Sequence, residues 1–481
     1  MIDLTPDEFR RLGYLAVDLI AERMAAQPDL PVRQPVPADL RDRLMSPPGA
    51  TTADPEALIR RVAEEVLPYP MGNGSPRFMA WVNSPPAPLG ILGDLLASAV
   101  NPSVAGGDHA ATYVEHGVLH WIKSIFGYPA DAGAILTSGG SVANLIPLAV
   151  MRHCKAADDM RKRGFNGEDF PMVIYTSTQG HSCIQKAAEL LGFGSAYLRK
   201  IPVDSDQRMS LDALRDAVED DRAAGLRPVC VAASAGTVNT GAVDPLHAIA
   251  DLCAAYDMWF HVDGAYGGFG ILAPSARAHY AGIERADSIA VDPHKWLYVP
   301  VECGCALVRD AAAMRETFSL IPPYLRDDRA LPWFSEFGIQ QTRGFKALKL
   351  WLTLQQVGTD GYSRLIENDI ALAGLLQDKI LASDDLELAA AGPLSVTCFR
   401  YRPNSEMEDG EIDALNRALL PRVQESGEAF VTGTELDGRA VIRACIVNFR
   451  TQEAHLDRLL AAVRRAGEET LRADGNSRNR L

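Results

Sequence analysis

No apolar run in this chain approaches the roughly 20 residues a membrane-crossing helix needs, and no long basic stretch offsets its acidity. Lys and Arg number 47 against 62 Asp and Glu, a net charge of −15. That balance argues against nucleic acid as a partner; Met160-Arg-Lys-Arg-Gly164 is too short for a basic face and reads as a solvated helix end. The eight cysteines include no Cys-x-x-Cys, so no zinc or redox motif is indicated. Cys303-Gly-Cys305 is the only close pair and reads as buried thiols, which suits a reducing cytoplasm and implies no metal. The acidic start, Met1-Ile-Asp-Leu-Thr-Pro-Asp7, does not read as a signal peptide. No Gly-Lys-Ser/Thr follows any glycine turn, which disfavours nucleoside triphosphates.

What is present organises into three parts. At 481 residues the chain has room for two or three domains with a substantial core. Residues 1–85 hold two helical segments separated by the proline-rich Gln27-Pro-Asp-Leu-Pro-Val-Arg-Gln-Pro-Val-Pro37. Such an arm buries little alone and is expected to pack on a second subunit. Residues 86–345 alternate apolar strands with helices, as in Met172-Val-Ile-Tyr175, Val229-Cys-Val-Ala-Ala233 and Met258 to Val262. That alternation is the pattern of a parallel sheet with crossover helices. Residues 346–481 open with a long helix (Ala347-Leu-Lys-Leu-Trp-Leu-Thr-Leu354) and continue as a smaller α+β domain. Its strands are expected at Ser395-Val-Thr-Cys-Phe399 and Ala440-Val-Ile-Arg-Ala444, and the polar tail from Ala473 to Arg480 is expected to fray.

Three motifs along the large domain carry chemistry. In Ser288-Ile-Ala-Val-Asp-Pro-His-Lys-Trp-Leu-Tyr298, a buried strand breaks at Pro293 and presents Lys295 between an imidazole and an indole. Poor solvation there is expected to lower the lysine pKa and free its amine for attack on carbonyls; taken alone, the same lysine could sit on the surface. In His261-Val-Asp-Gly-Ala-Tyr-Gly-Gly268, a single carboxylate, Asp263, ends an apolar strand. It could point into the crevice where open α/β sheets bind ligands, or cap the next helix. In Ala134-Ile-Leu-Thr-Ser-Gly-Gly-Ser-Val-Ala-Asn144, a strand leads through two glycines into a helix whose free N–H groups would cradle a phosphate. A phosphate cradle, a carboxylate and an amine in this order are what pyridoxal 5'-phosphate requires: an anchored phosphate, an acid for its ring nitrogen and a lysine for its aldehyde.

With these residues the chain resembles the group II pyridoxal-phosphate-dependent decarboxylases, the family of aromatic-L-amino-acid decarboxylase, over nearly its whole length. The resemblance implies a fold-type I α/β architecture: a large domain with a mostly parallel sheet, an N-terminal helical arm and a small C-terminal α+β domain. It implies a homodimer with shared active sites. Carried over, Lys295 is the Schiff-base lysine and Asp263 the partner of the pyridine nitrogen. Ala265 lies under the ring, Gly140 and Ser141 hold the phosphate, and His294 is a further phosphate contact. His181, in Tyr175-Thr-Ser-Thr-Gln-Gly-His-Ser182, stacks on the cofactor, meets the substrate carboxylate and can exchange protons with the reacting carbon. Phe78, Trp81 and Val82 align with the segment flanking the substrate ring, although an aromatic run of this spacing is more often plain core.

Three departures bear on activity. Thr237 is followed by Val238 where the family often has a second threonine. Asp292 stands where the animal enzymes have asparagine, and an anion there would repel phosphate unless it faces elsewhere. The family's mobile loop, here about Asp327 to Arg343, carries a proton-donating tyrosine, yet no tyrosine occurs between Tyr324 and Tyr362, and Phe334 takes its place. The implied reaction is decarboxylation of an L-amino acid, aromatic by first choice, to the amine and carbon dioxide. The alternatives are oxidative deamination to an aldehyde, signalled by Phe334, and a non-aromatic substrate such as diaminobutyrate, which Asp108 and His109 could read.

Overall fold

A computed structural model of the chain describes residues 2–47, 49, 51–156, 159–167, 171–320, 331–403 and 406–478. The first part of the expected mobile loop, with Tyr324 and Asp327, and Arg480 of the tail lie outside the described residues.

The chain forms two compact units. The larger comprises Val82–Gln377 and Ala390–Cys398. It is built on seven strands: β1 (Gly133–Thr137), β2 (Met172–Ser177), β3 (Leu198–Ile201), β4 (Arg227–Ser234), β5 (Trp259–Gly264), β6 (Ser288–Val291) and β7 (Gly304–Val308). Their spatial order is β1-β7-β6-β5-β4-β2-β3. Strands β6, β5, β4, β2 and β3 pair in parallel, while β7 runs antiparallel to both β1 and β6. Every residue of β1, β2, β5, β6 and β7 is buried. A sheet covered on both faces reads as unbroken apolar runs, which is why these strands stand out in the sequence.

The smaller unit comprises Met1–Trp81, Asp378–Ala389 and Phe399–Leu481. The expected boundaries at 85/86 and 345/346 thus compare with divisions at 81/82 and 377/378, and the arm clusters with the C-terminal segment of its own chain. Val32 is fully buried and donates its N–H to the Gly427 carbonyl at 2.8 Å. Arg77 reaches the carbonyls of Glu428 and Pro28, at 3.0 and 3.2 Å. Met79 and Phe430 are joined through a 2.8 Å backbone hydrogen bond. The proline-rich linker is therefore an anchored strap, because its extended backbone offers hydrogen-bonding groups that must be met where they are buried.

A second sheet, of four strands, has the order β10-β11-β9-β8, with β8 Leu386–Ala391, β9 Val396–Tyr401, β10 Thr432–Leu436 and β11 Arg439–Cys445. The two strands expected from the sequence fall in β9 and β11. The long helix, Ala347–Leu381, is two helices joined at Gly358, whose φ of 67° takes it out of helical geometry. The tail departs from expectation: the helix Glu453–Arg478 continues through most of it. Extending an anchored helix costs far less than nucleating one, so polar residues suffice there.

Candidate active site

The carboxyl edge of the parallel sheet brings the three motifs together. Lys295 lies in the single turn Pro293–Trp296 that follows β6. That turn is held from behind: the buried Trp296 indole donates to Asp369 at 3.0 Å and stacks on Tyr266, with ring centroids 5.2 Å apart. Ser84 adds a hydrogen bond to the His294 carbonyl at 3.0 Å. The Lys295 side chain is 23% exposed and its Nζ lies 2.9 Å from Asp292 Oδ2. The expected lowering of its pKa is not what this geometry produces. Burial pulls the value down, but the Asp292 carboxylate, helped by Asp263, outweighs it and raises the lysine above its ordinary 10.5.

Asp263 ends β5 at 7% exposure. Its Oδ1 accepts the Ala265 N–H at 3.1 Å, and its Oδ2 lies 3.8 Å from the Cys183 thiol. It caps no helix: the next helical turn, Gly268–Leu272, begins after Gly267. Oδ2 therefore has only a weak donor beside it and could take a stronger one.

The helix Gly140–Lys155 follows β1, and no side chain caps it. The Val142 N–H is taken by the Gly139 carbonyl at 3.0 Å, which leaves the opening amides of Gly140 and Ser141 to hold a phosphate. A Cβ on Gly140 would sit 2.8 Å from Asp292 Oδ2 and 3.0 Å from Ala265 Cβ, and one on Gly139 would sit 3.2 Å from His294 Cε1. Glycine at both positions leaves an opening bordered by Asp292, Ala265 and His294 that any side chain would fill. Ser141 is exposed at the mouth. His294 places Nδ1 2.8 Å from the Cys303 carbonyl, and burial lowers its pKa.

His181 precedes the helix Ser182–Leu190 and accepts the Cys183 N–H on Nδ1 at 3.1 Å. That bond fixes the tautomer with the proton on Nε2. Burial lowers its pKa, against a raising influence from Asp263, so the ring is neutral at pH 7.

Several site-supporting residues are not evident from motif reading. Asn144 faces inward rather than toward a phosphate: its Nδ2 donates to the Gly140 carbonyl at 2.8 Å, and its Oδ1 lies 2.7 Å from His261 Nε2. His261 in turn meets Ser288 at 2.9 Å, and burial lowers its pKa to about 4. The imidazole in the His-Val-Asp motif was the available signal, and a buried neutral histidine is a donor–acceptor bridge. Cys183, beneath Asp263, gave no signal at all.

Other singled-out residues have local partners. Thr237 pairs with Thr240 at 3.0 Å and closes its own turn. Asp108 accepts from Tyr113 at 2.7 Å, and His109 lies 3.3 Å from Thr112. Phe334 is buried, 4.5 Å from the His116 ring and 5.0 Å from the Arg343 guanidinium, which pairs with Glu115. Val82 opens the larger unit and is buried. In the smaller unit Phe78 is buried and stacks on Phe430 at 5.4 Å, within a cluster containing Val32 and Ala80. Trp81, 46% exposed, lines with Phe430, Arg33 and Tyr69 a cavity of about 300 Å³. Among the described residues no group of three or more His, Cys, Asp or Glu side chains converges as metal ligands do. Among them too, no helix is long and apolar enough to cross a membrane.

A lysine, a carboxylate and a glycine-opened helix on the carboxyl edge of one parallel sheet define a pyridoxal-phosphate enzyme. Residues 39–402 match the model of the pyridoxal-dependent decarboxylase conserved domain. The chain is 34% identical to the aromatic-L-amino-acid decarboxylase of Bacillus atrophaeus, covering 97% of each. It is 28% identical to the phenylacetaldehyde synthase of Petunia hybrida, covering 96% of this chain and 94% of that one. A solved structure of Oryza sativa TDC with PLP and tryptamine superposes with a TM-score of 0.90 at 29% identity, over 98% of this chain and 99% of that one. The chain belongs to the pyridoxal-dependent decarboxylase family. It is a lyase that uses pyridoxal 5'-phosphate to decarboxylate an amino acid.

Proposed function

We propose that Lys295, Asp263 and His181 carry out the decarboxylation of an aromatic L-amino acid to its amine. The observation that carries this reading is the opening at Gly140, bordered by Asp292, Ala265 and His294 at one sheet edge. When bound, pyridoxal phosphate supplies the electron sink that accepts the pair left behind by departing carbon dioxide. Lys295 Nζ would be the covalent anchor, and the amides of Gly140 and Ser141, with His294, would hold the phosphate. Ala265 would lie against the ring. Asp263 Oδ2 holds the proton on the ring nitrogen through a charge-assisted hydrogen bond. His181 orients the substrate carboxylate and carries a proton on Nε2 for the reacting carbon. Val82 lines the substrate side, while Phe78 packs against Trp81 within the smaller unit. The aromatic preference is supported by the relatives' own names, aromatic-L-amino-acid decarboxylase and tryptophan decarboxylase among them.

The functional form is a homodimer with shared sites. The helix Pro6–Ala26 buries only Leu12 and exposes Phe9, Tyr14 and Val17, and the helix Pro88–Val100 exposes Leu92, Leu95 and Leu96. Contiguous apolar faces of this kind call for a partner surface. Eight cysteines joined in no disulfide, seven of them buried, suit the reducing cytoplasm.

Borohydride reduction of the loaded protein should place the pyridoxyl group on Lys295, and its recovery on any other lysine overturns the reading. A screen of amino acids measuring carbon dioxide, amine, aldehyde and peroxide should give amine from aromatic substrates. Phe334, which brings no hydroxyl to the loop, favours one second reading, the aldehyde. Oxygen uptake matching carbon dioxide release, shifted toward amine in Phe334→Tyr, would establish it.

A further inference from the structure

Asp292 occupies the N-cap position of the Lys295 turn, yet its side chain makes no capping hydrogen bond. The carboxylate is 2% exposed and turns instead to Lys295 Nζ, 2.9 Å away. Its other oxygen, Oδ1, is buried with no hydrogen-bond partner. Oδ2 also lies 3.9 Å from His294 Nε2 and borders the Gly140 cradle. A buried carboxylate that neither caps its helix nor meets a backbone amide is placed for the one cation beside it.

We propose that Asp292 is a positioning residue that clasps the Lys295 amine as an ion pair whenever that amine is not joined to the cofactor. The inference rests on the reading of Lys295 as the anchor. Joining the amine to the cofactor aldehyde releases one water, and before that the ammonium proton must leave to solvent. The clasp therefore keeps the lysine in place and withholds its reactivity at neutral pH. Four further groups face the amine. His294 stands on the same turn and Asp263 on β5, while Cys183 and His181 belong to the helix Ser182–Leu190 and its cap. Both carboxylates favour the ammonium, and both histidines are neutral at pH 7, so none of the four opposes Asp292. The same carboxylate repels an anion at the cradle, which answers where the extra charge at this position faces: it is turned to the lysine and stays beside the phosphate mouth.

The test uses the full-length chain freed of cofactor. Acetic anhydride labelling of Lys295, followed by peptide mass spectrometry, reads the fraction of free amine without any turnover. In the wild type the labelling rate should climb about tenfold per pH unit from about pH 7 to about pH 9 without levelling. Asp292→Asn, which keeps the shape and removes the charge, should label about tenfold faster at about pH 8. That variant should also bind inorganic phosphate more tightly. A wild-type rate that levels below about pH 9, or equal labelling in the two proteins, overturns the proposal. If that variant does not fold, Asp292→Ser, which also removes the charge, decides in the same labelling assay. Failure of the anchor reading is distinct, since it would appear as cofactor reduced onto another lysine while the labelling result stood.

Discussion

Two aspartates stand at the carboxyl ends of neighbouring parallel strands, Asp263 on β5 and Asp292 just after β6. Both are buried, and Asp292 borders the opening at Gly140, but their partners differ. Asp263 receives one backbone N–H and a thiol, which leaves a carboxylate oxygen available for a ring nitrogen. Asp292 is already engaged by an ammonium. Position on the sheet therefore does not assign a carboxylate its task. The donors around it do, and a thiol as neighbour keeps an acceptor open where an ammonium closes it.

The largest test of this contrast removes the ammonium. Lys295→Ala should abolish the visible band that borohydride bleaches and cut kcat/KM by roughly 10⁴-fold, about 5.5 kcal/mol in barrier. Cofactor should still bind through the cradle, as tryptophan-fluorescence quenching will read. Turnover within tenfold of wild type would mean that another amine does the work. Next in size is the other strand end: Asp263→Asn keeps the shape and loses the charge that holds the ring proton. It should cost roughly 3 kcal/mol, about a hundredfold in kcat. Near-normal turnover would show that Asp263 only closes the local turn with Ala265.

A pH profile sharpens the same side of the site. The His181 pKa lies below its ordinary 6.5, chiefly from burial. The working neutral ring is thus fully present above that value and is lost as pH falls through the lowered pKa. kcat/KM should be flat from about pH 7 upward on the histidine's account and fall about tenfold per unit below the lowered value. His181→Gln should lose that acid limb along with most activity. The limb's persistence in the variant would assign it to another group.

How much of this was legible beforehand follows from local chemistry. Strands β2, β5 and β6 declared themselves because both their faces are buried, and Lys295 and Asp263 because each ends such a strand. The tail helix was misread because periodicity reports burial, and a helix can run on without an apolar stripe. The Lys295 pKa was misread because desolvation can be inferred from apolar neighbours, whereas the sign of the net shift depends on where one carboxylate points. Asp292 was noticed as a charge, but its rotamer, and so its partner, is a tertiary fact. The anchoring of the strap through Val32 and Gly427 joins residues far apart in sequence, which no local pattern records.

The smallest expected effect asks whether the thiol beside Asp263 matters. Burial pushes the Cys183 thiol well up, and Asp263 adds to the push, so it stays protonated and serves as a weak donor. Asn144 Nδ2 approaches the same sulfur at 3.5 Å, which ties the cradle helix to the floor of the site. Cys183→Ser replaces the weak donor with a hydroxyl, and a hydroxyl bonded to a carboxylate competes with the ring nitrogen for the same oxygen. A loss of about 1 kcal/mol, roughly fivefold in kcat, is expected. Cys183→Ala removes the donor without replacing it and should stay within about twofold of wild type in kcat, with a modest loss of stability from the small cavity. If serine and alanine behave alike, sulfur serves only to fill space, and the openness of Asp263 comes from geometry alone. If serine is slower and alanine is not, the weakness of the thiol as a donor is what keeps one aspartate ready while its neighbour on β6 is already taken.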